Sequence, residues 1–195
     1  AASPQCSAYL YYKGGGRGPQ RGRAKMKKKV RRKQNNSRNC FVCGVMNDMG
    51  LKSAFYELED GTVAAHATPK PEHQSYPMRV HGGVISAMLD ETIGRAINIT
   101  EPDTWAVTGE LTIRYKKPVP YGEQLLVTGR ITRNTRLIFD GEGEIYSADG
   151  TLCATGRGRY VKQPLDVIGG LESHGDFWRC FPDENDPKEI DVPEH

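Results

Sequence analysis

Between residues 51 and 161 the chain alternates short stretches of Val, Ile, Leu, Thr and Tyr with pairs of turn-forming residues. The stretches 51–58, 62–69, 105–119, 123–134, 136–148 and 151–161 show a broken period-two alternation. Half-buried strands produce that pattern, because successive side chains face opposite sides of a sheet. Asp60-Gly61, Tyr121-Gly122, Asn134-Thr135 and Asp149-Gly150 separate them. The Asp-Gly pairs favour tight hairpins, whose turns need positive φ. Only 82–98 reads as a helix. In it Val84, Ile85, Met88, Leu89, Ile93, Ala96 and Ile97 cover nearly every face, which predicts a buried helix rather than an amphipathic one. Two strands, one central helix and then a four-stranded meander predict an α+β fold, one antiparallel sheet curled around the helix.

That arrangement is the hotdog architecture. Its outer face and strand edges are exposed, and edge-to-edge dimerisation is the usual remedy.

Composition changes the picture at the two ends. Hydrophobic residues make up 37% of the chain and the mean hydropathy is −0.61, low for a compact globule. Residues 1–38 hold 12 of the 27 Lys and Arg and none of the 24 acids, whereas 166–195 hold 9 acids against 2 basic residues. Both segments read as disordered tails, with too little apolar content to offset the entropy of ordering, and their opposite charges attract each other weakly. The globular domain is therefore expected over 39–165. Met26 is a candidate natural start, which makes 1–25 upstream or added sequence. A basic run can bind nucleic acid or a membrane surface, but no aromatic is interleaved here for base stacking, so the run reads as a solvated tail. No apolar run approaches the ~20 residues that span a bilayer.

The chemistry concentrates at 80–94, "VHGGVISAMLDETIG". A helix N-terminus offers unpaired N–H groups and partial positive charge to an oxygen that becomes negative during reaction. Gly82 and Gly83 lack the Cβ atoms that would hinder a substrate from reaching those groups, and His81 precedes them to set the loop or donate a hydrogen bond. Asp90 lies two turns further in, on the face that carries Ser86, Gly94 and Ile97, and a buried carboxylate is expensive unless it is paired or functional. A carbonyl held at the Gly82 and Gly83 amides, with water or the carboxylate as nucleophile, suits acyl transfer to water. The residues alone equally allow Gly-Gly as a packing device and Asp90 as a cap on a neighbouring strand.

This stretch resembles the signature of the PaaI-like hotdog acyl-CoA thioesterases of the 4HBT superfamily, His-Gly-Gly and then an acid nine residues after the His. "NCFVCGVMNDMGL" (39–51) is similar to the opening of the Cys-Phe-x-Cys-Gly branch. "AVTGELTIRYKKPVPYGEQLLVTGRI" (106–131) and "SADGTLCATGRGRYV" (147–161) are similar to its later strands, so the resemblance spans about 40–165. It implies hydrolysis of an acyl- or aryl-CoA thioester, with Asp90 as general base or nucleophile and the Gly82 N–H polarising the carbonyl. It further implies a loop role for His81, and a water-orienting hydroxyl, Thr108, supplied across the interface of a homodimer or homotetramer. Many relatives carry Asn six residues before the His. Ser75 stands there, and the neighbouring Gln74 is the candidate for its amide contacts, with Gly83 and Ser86 as further substrate-binding positions.

The resemblance implies no metal and no cofactor. Cys40-x-x-Cys43 lacks the second Cys pair that a structural zinc site would use. His66 or His73 would have to complete it, so the pair reads as packing thiols, and Glu91 reads as a salt-bridge partner rather than a second acid. Five scattered cysteines point to a reducing, cytoplasmic setting rather than a disulfide framework. Arg114, Lys116, Lys117, Arg157 and Arg159 are candidates to meet coenzyme A phosphates. The alternative from another class is a non-catalytic acyl-CoA sensor, though no helix-turn-helix pattern precedes the domain. A hotdog hydratase is disfavoured by the absence of an Asp-x-Asn-Pro-x-His stretch.

Overall fold

The computed structural model describes residues 24–164, 167 and 178–194. In chain order it places β1 (Lys25–Lys33), β2 (Asn36–Ser37), β3 (Ala54–Leu58) and β4 (Val63–Ala67), then a 3-10 turn at Pro71–His73. Helix α1 (Gly82–Gly94) follows and runs into a 3-10 turn at Arg95–Ile99. Next come β5 (Thr104–Tyr115), β6 (Leu125–Asn134), β7 (Ile138–Tyr146), β8 (Leu152–Pro164), β9 (Trp178–Arg179) and β10 (Glu189–Pro193). Eight strands form one antiparallel sheet in the order β10-β1-β3-β4-β6-β7-β8-β5, while β2 pairs with β9. The curled sheet around one helix is the expected hotdog fold. Gly61 and Gly150 turn the two Asp-Gly hairpins at φ 81° and 83°.

The meander is only partly realised. β6, β7 and β8 follow one another, but β5 does not lie beside β6. It crosses to the far edge and pairs with β8 from Thr104↔Pro164 to Tyr115↔Ala154. The vacated place beside β6 is taken by β4, so the helical crossover stands between the two halves of the sheet.

The helix sits directly on sheet backbone. Gly129 pairs with Gly143, and Gly143 with Gly156, so three neighbouring strands present a row of glycines beneath α1. A Cβ on Gly129 would fall 2.5 Å from the Thr92 carbonyl oxygen, and one on Gly143 would fall 2.8 Å from Ile93 Cγ1. Into this trough α1 sinks Ile85, Met88, Leu89, Thr92 and Ile93, against Phe55, Val127, Phe139 and Ile145. The expectation of burial on all faces is corrected, since Val84, Ser86, Ala87, Asp90 and Glu91 stay half-buried.

The expected tails are also corrected where the structure describes them. Residues 25–33 and 189–193 are strands that pair with each other from Lys25↔Pro193 to Lys29↔Glu189, and the second half of β1 pairs with β3. The basic run is ordered because its charges meet distant acids: Lys28 with Asp60, Arg32 with Glu57 at 2.8 Å, Lys33 with Asp186 at 2.6 Å. Ile190 and Val192 of β10 bury themselves with Tyr56, Leu58 and Ala64 in a second, smaller core. The remaining tail residues, 1–23, 165–166, 168–177 and 195, lie outside the described set.

Two outcomes follow from this second core. Ile190→Ala should cost ~2–5 kcal/mol, the range for truncating a buried Ile, read as a lower urea midpoint with the cooperative transition retained. Around Asp186, burial works to raise the carboxyl. The Lys33 ammonium, the Asp183 N–H and the Tyr56 hydroxyl outweigh it and hold the group below its ordinary range. A depressed folded-state value stabilises above the ordinary carboxylate range, and that contribution disappears as pH falls through the folded value. Asp186→Asn should therefore lower the melting temperature at neutral pH and flatten its acid-side decline, measured from pH 7 down to the acid limit of solubility.

Candidate active site

Asp90 lies on the half-buried face of α1, held from two strands at once. Thr108 of β5 donates its hydroxyl to Oδ1 at 2.8 Å. The Tyr160 hydroxyl, from β8, lies 3.2 Å from the same oxygen and 3.1 Å from the Asp90 main-chain carbonyl. Oδ2 has no donor among the described residues. One oxygen is thus anchored and the other is available to take a proton or attack. Burial raises the carboxyl above its ordinary value, the Thr108 and Tyr160 hydroxyls oppose that rise, and nearby Glu91 adds to it. Burial and the Asp90 charge push the Tyr160 hydroxyl up in turn, so it remains a protonated donor.

The route by which Thr108 reaches Asp90 depends on a β-bulge. The register of β5 against β8 slips between Thr108 and Glu110, leaving Gly109 as the extra residue. Before the slip Ala106 and Thr108 face the helix; after it Leu111, Ile113 and Tyr115 do. The bulge reverses the parity of the strand, so both Thr108 and Tyr115 reach α1 from a single strand. Thr108 is exposed and β5 is the last strand of the sheet. The expectation that Thr108 acts on a partner's carboxylate is therefore corrected, because it bonds Asp90 of its own chain.

The helix N-terminus is a separate cluster. His81 is the N-cap, and its Nδ1 accepts the Gly83 N–H at 2.9 Å. That bond places the ring proton of a neutral His81 on Nε2 and uses the Gly83 amide for capping rather than for substrate. The Gly82 N–H, first of the helix, has no partner among the described residues. Ser86 and Tyr115 both donate to the Gly82 carbonyl, at 3.0 and 3.1 Å, and their hydroxyls lie 3.0 Å apart. Ser86 therefore steadies the first turn. Gln74 is exposed and forms a backbone bridge to Val80 on the loop leading to His81. The atoms nearest a Cβ on Gly82 would be the Tyr115 hydroxyl at 3.5 Å and its ring carbons at 3.7 and 3.8 Å, ordinary contact distances. Packing against the sheet does not explain this glycine, in contrast to Gly129 and Gly143.

Eight residues of helix separate Gly82 from Asp90, about 12 Å at ~1.5 Å per residue. One chain thus carries a carboxylate with an anchored oxygen and, a long way off, an unpartnered amide. Tyr160, Tyr115 and the Gly109 bulge were not foreseen from the sequence. Tyr160 left a faint signal, as the polar-tipped aromatic that ends the inward row Ala154, Gly156, Gly158. Tyr115 left none.

Among the described residues no helix is long and apolar enough to cross a membrane. Residues 79–154 match the family model described as the thioesterase superfamily. Human acyl-coenzyme A thioesterase 13 is 26% identical over 98 residues, 50% of this chain and 70% of that protein. A crystal structure of a thioesterase superfamily protein aligns at TM-score 0.58 and 31% identity, covering 64% of this chain and 63% of that one. The Escherichia coli PaaI protein, from the phenylacetic acid degradation operon, shares the fold at TM-score 0.53 and 19% identity, over 58% of this chain and 80% of its own. The matched region runs from just before α1 into the start of β8, and one helix laid in a curled antiparallel sheet is the fold that this chain shares with these thioesterase-superfamily structures.

Proposed function

We propose that the protein hydrolyses the thioester bond of an acyl- or aryl-CoA, with Asp90 delivering the nucleophile and the Gly82 N–H polarising the carbonyl. The observation that carries this reading is the Asp90 carboxylate. It is half-buried, fixed at Oδ1 by two hydroxyls and free at Oδ2. A carboxylate that served only as a cap would spend its oxygens on backbone N–H groups, and this one accepts from none among the described residues. Water held against Oδ2 loses its proton as it attacks the thioester carbon, and the oxyanion that forms needs a donor with no prior partner. The Gly82 amide is such a donor.

About 12 Å is too far for one chain to supply both groups to one carbonyl, since attack requires ~3–3.5 Å between reacting atoms. A second copy resolves this. β5 ends the sheet with an exposed, 12-residue strand, a free edge that a like strand extends. In a two-fold dimer each site combines the helix N-terminus of one protomer with the Asp90–Thr108–Tyr160 group of the other. The coenzyme A portion fits the superfamily reading, and the acid-base chemistry calls for no cofactor.

Asp90→Asn should lower kcat for acyl-CoA by at least about 100-fold, the lower end of general-base assistance, with little change in KM and no loss of melting temperature. Thr108→Ala should fall less. A variant that melts early yet turns over at the parental rate would return Asp90 to a structural role. Acyl-CoA binding without turnover in the parent would make the protein a sensor instead.

Shared sites are tested by mixing lesions. Gly82→Pro deletes the N–H at the first helical position, where Pro is tolerated, and His81 already has the extended ψ of 139° that suits a residue before Pro. Loss of one such donor costs ~10²–10³ in kcat. Neither Asp90→Asn nor Gly82→Pro should be active alone. Refolding them together should restore about a quarter of parental sites, because half of random dimers are mixed and each mixed dimer has one intact site. No recovery, with mixed dimers verified by mass, would place the whole site within one chain.

A further inference from the structure

Away from the acid-base group, the turn at Cys40–Gly44 and the next residue of α1 bring together three groups that the hydrolytic reading does not use. Two sulfurs, from Cys40 and Cys43, and a carboxylate oxygen of Glu91 all lie within 4.8 Å of one another. Cys40 Sγ is 3.9 Å from Glu91 Oε2. We propose that this cluster binds one thiophilic divalent cation, with zinc as the ion whose chemistry fits, through the Cys40 and Cys43 thiolates and Glu91 Oε2, leaving the fourth position to water.

The turn aims main-chain donors at both of its sulfurs. The Val42 and Cys43 N–H groups donate to Cys40 Sγ at 3.3 and 3.5 Å, and the Ser37 N–H donates to Cys43 Sγ at 3.4 Å. Gly44 closes the turn onto the Cys40 carbonyl, where a Cβ would fall 2.3 Å from that oxygen. Asn36 clamps the same turn by donating to the Cys43 and Ser53 carbonyls. A neutral thiol is a weak acceptor, so three N–H groups aimed at two sulfurs suit thiolates better. A divalent cation would take the place of the thiol protons when it binds.

Glu91 is aimed by its other oxygen. Oε1 accepts from Arg95 Nε and pairs with Nη2, both at 2.9 Å. Arg95 is itself buried between the rings of Phe55 and Trp178, 4.1 and 4.8 Å from their centroids. Two thiolates, one carboxylate and this guanidinium sum to −2, which a divalent ion neutralises. Zinc–sulfur bonds of ~2.3 Å and zinc–oxygen bonds of ~2.0–2.2 Å in a tetrahedron set ligand atoms about 3.5–3.8 Å apart, close to the 3.9 Å already present between Cys40 and Glu91. The histidines considered from the sequence do not belong to the site. His73 uses Nδ1 to accept from Lys70 and Nε2 on the Met49 carbonyl, and His66 stands on β4 against Tyr56.

The test uses the full chain, purified under reducing conditions without chelator, loaded with zinc and freed of excess by gel filtration. Elemental analysis should find one zinc per chain, and cobalt substitution should give thiolate-to-metal charge-transfer absorption. Competition against a chromophoric chelator gives the affinity. Glu91→Gln and Cys40→Ser should each weaken it at least about 100-fold, since even outer-sphere changes cost 10–100-fold. Cys153→Ser, in the core away from the cluster, should leave it unchanged. The proposal is overturned if the folded parent retains no zinc, if Glu91→Gln binds as the parent does, or if Cys40 and Cys43 are found as a disulfide that zinc loading does not prevent. All three readouts are independent of acyl-CoA turnover, so the site stands or falls separately from the hydrolytic reading.

Discussion

The close approach of α1 to the sheet is the constraint on which the rest of the molecule depends. Gly129, Gly143 and Gly156 sit in register across β6, β7 and β8. With no side chains there, Thr92 and Ile93 rest on strand backbone. A helix lowered that far has its half-buried face level with the neighbouring strands. That level brings Asp90 within hydrogen-bonding reach of hydroxyls on both β5 and β8. Larger residues in the trough would lift the helix, and the first contacts to lengthen would be those to Thr108 and Tyr160.

In the proposed site the two ends of α1 divide the tasks, and the division follows from helix geometry rather than from the choice of residues. An N-terminus can offer an amide only at its first turn, and a side chain placed on packed helix body is necessarily further along. Asp90 gains its double anchor because it lies where the helix is deepest. It loses proximity to Gly82 for the same reason. In the proposed dimer, the exposed β5 edge is where distance along one helix is exchanged for proximity between two. The Gly109 bulge serves both ends by letting one strand present Thr108 to the carboxylate and Tyr115 to the first turn.

What was legible in the sequence was local. Asp60-Gly61 and Asp149-Gly150 announced their hairpins because positive φ is a property of two adjacent residues, and the apolar run from Val84 to Ile97 announced the helix. His81 as the lead-in to a helix start was legible for the same reason. The place of β5 was not, since its pairing with β8 is decided by residues 39–60 positions away. The Asp90–Thr108 pair was reached through resemblance, but its intrachain geometry hung on a bulge that alternation alone conceals. The basic run was misread as unstructured because each of its counter-charges is remote: Asp60 for Lys28, Glu57 for Arg32, Asp186 for Lys33. Glu91 escaped notice as a neighbour of Cys40 because 51 residues separate them.

The pairing of β1 with β10 also orders events in time. Lys27 lies opposite Asp191, and the Glu194 N–H donates to the Ala24 carbonyl. During synthesis the helix and the strands around it can assemble while the first half of β1 still has no partner on that side. Its positively charged row waits in the company of the ribosome until some 160 residues later the acidic strand that completes it emerges. Until then the outer core of Tyr56, Leu58 and Ala64 lacks Ile190 and Val192. The lysines that later pair with acids also make the waiting strand a poor template for joining another chain, since like charges on two such edges repel.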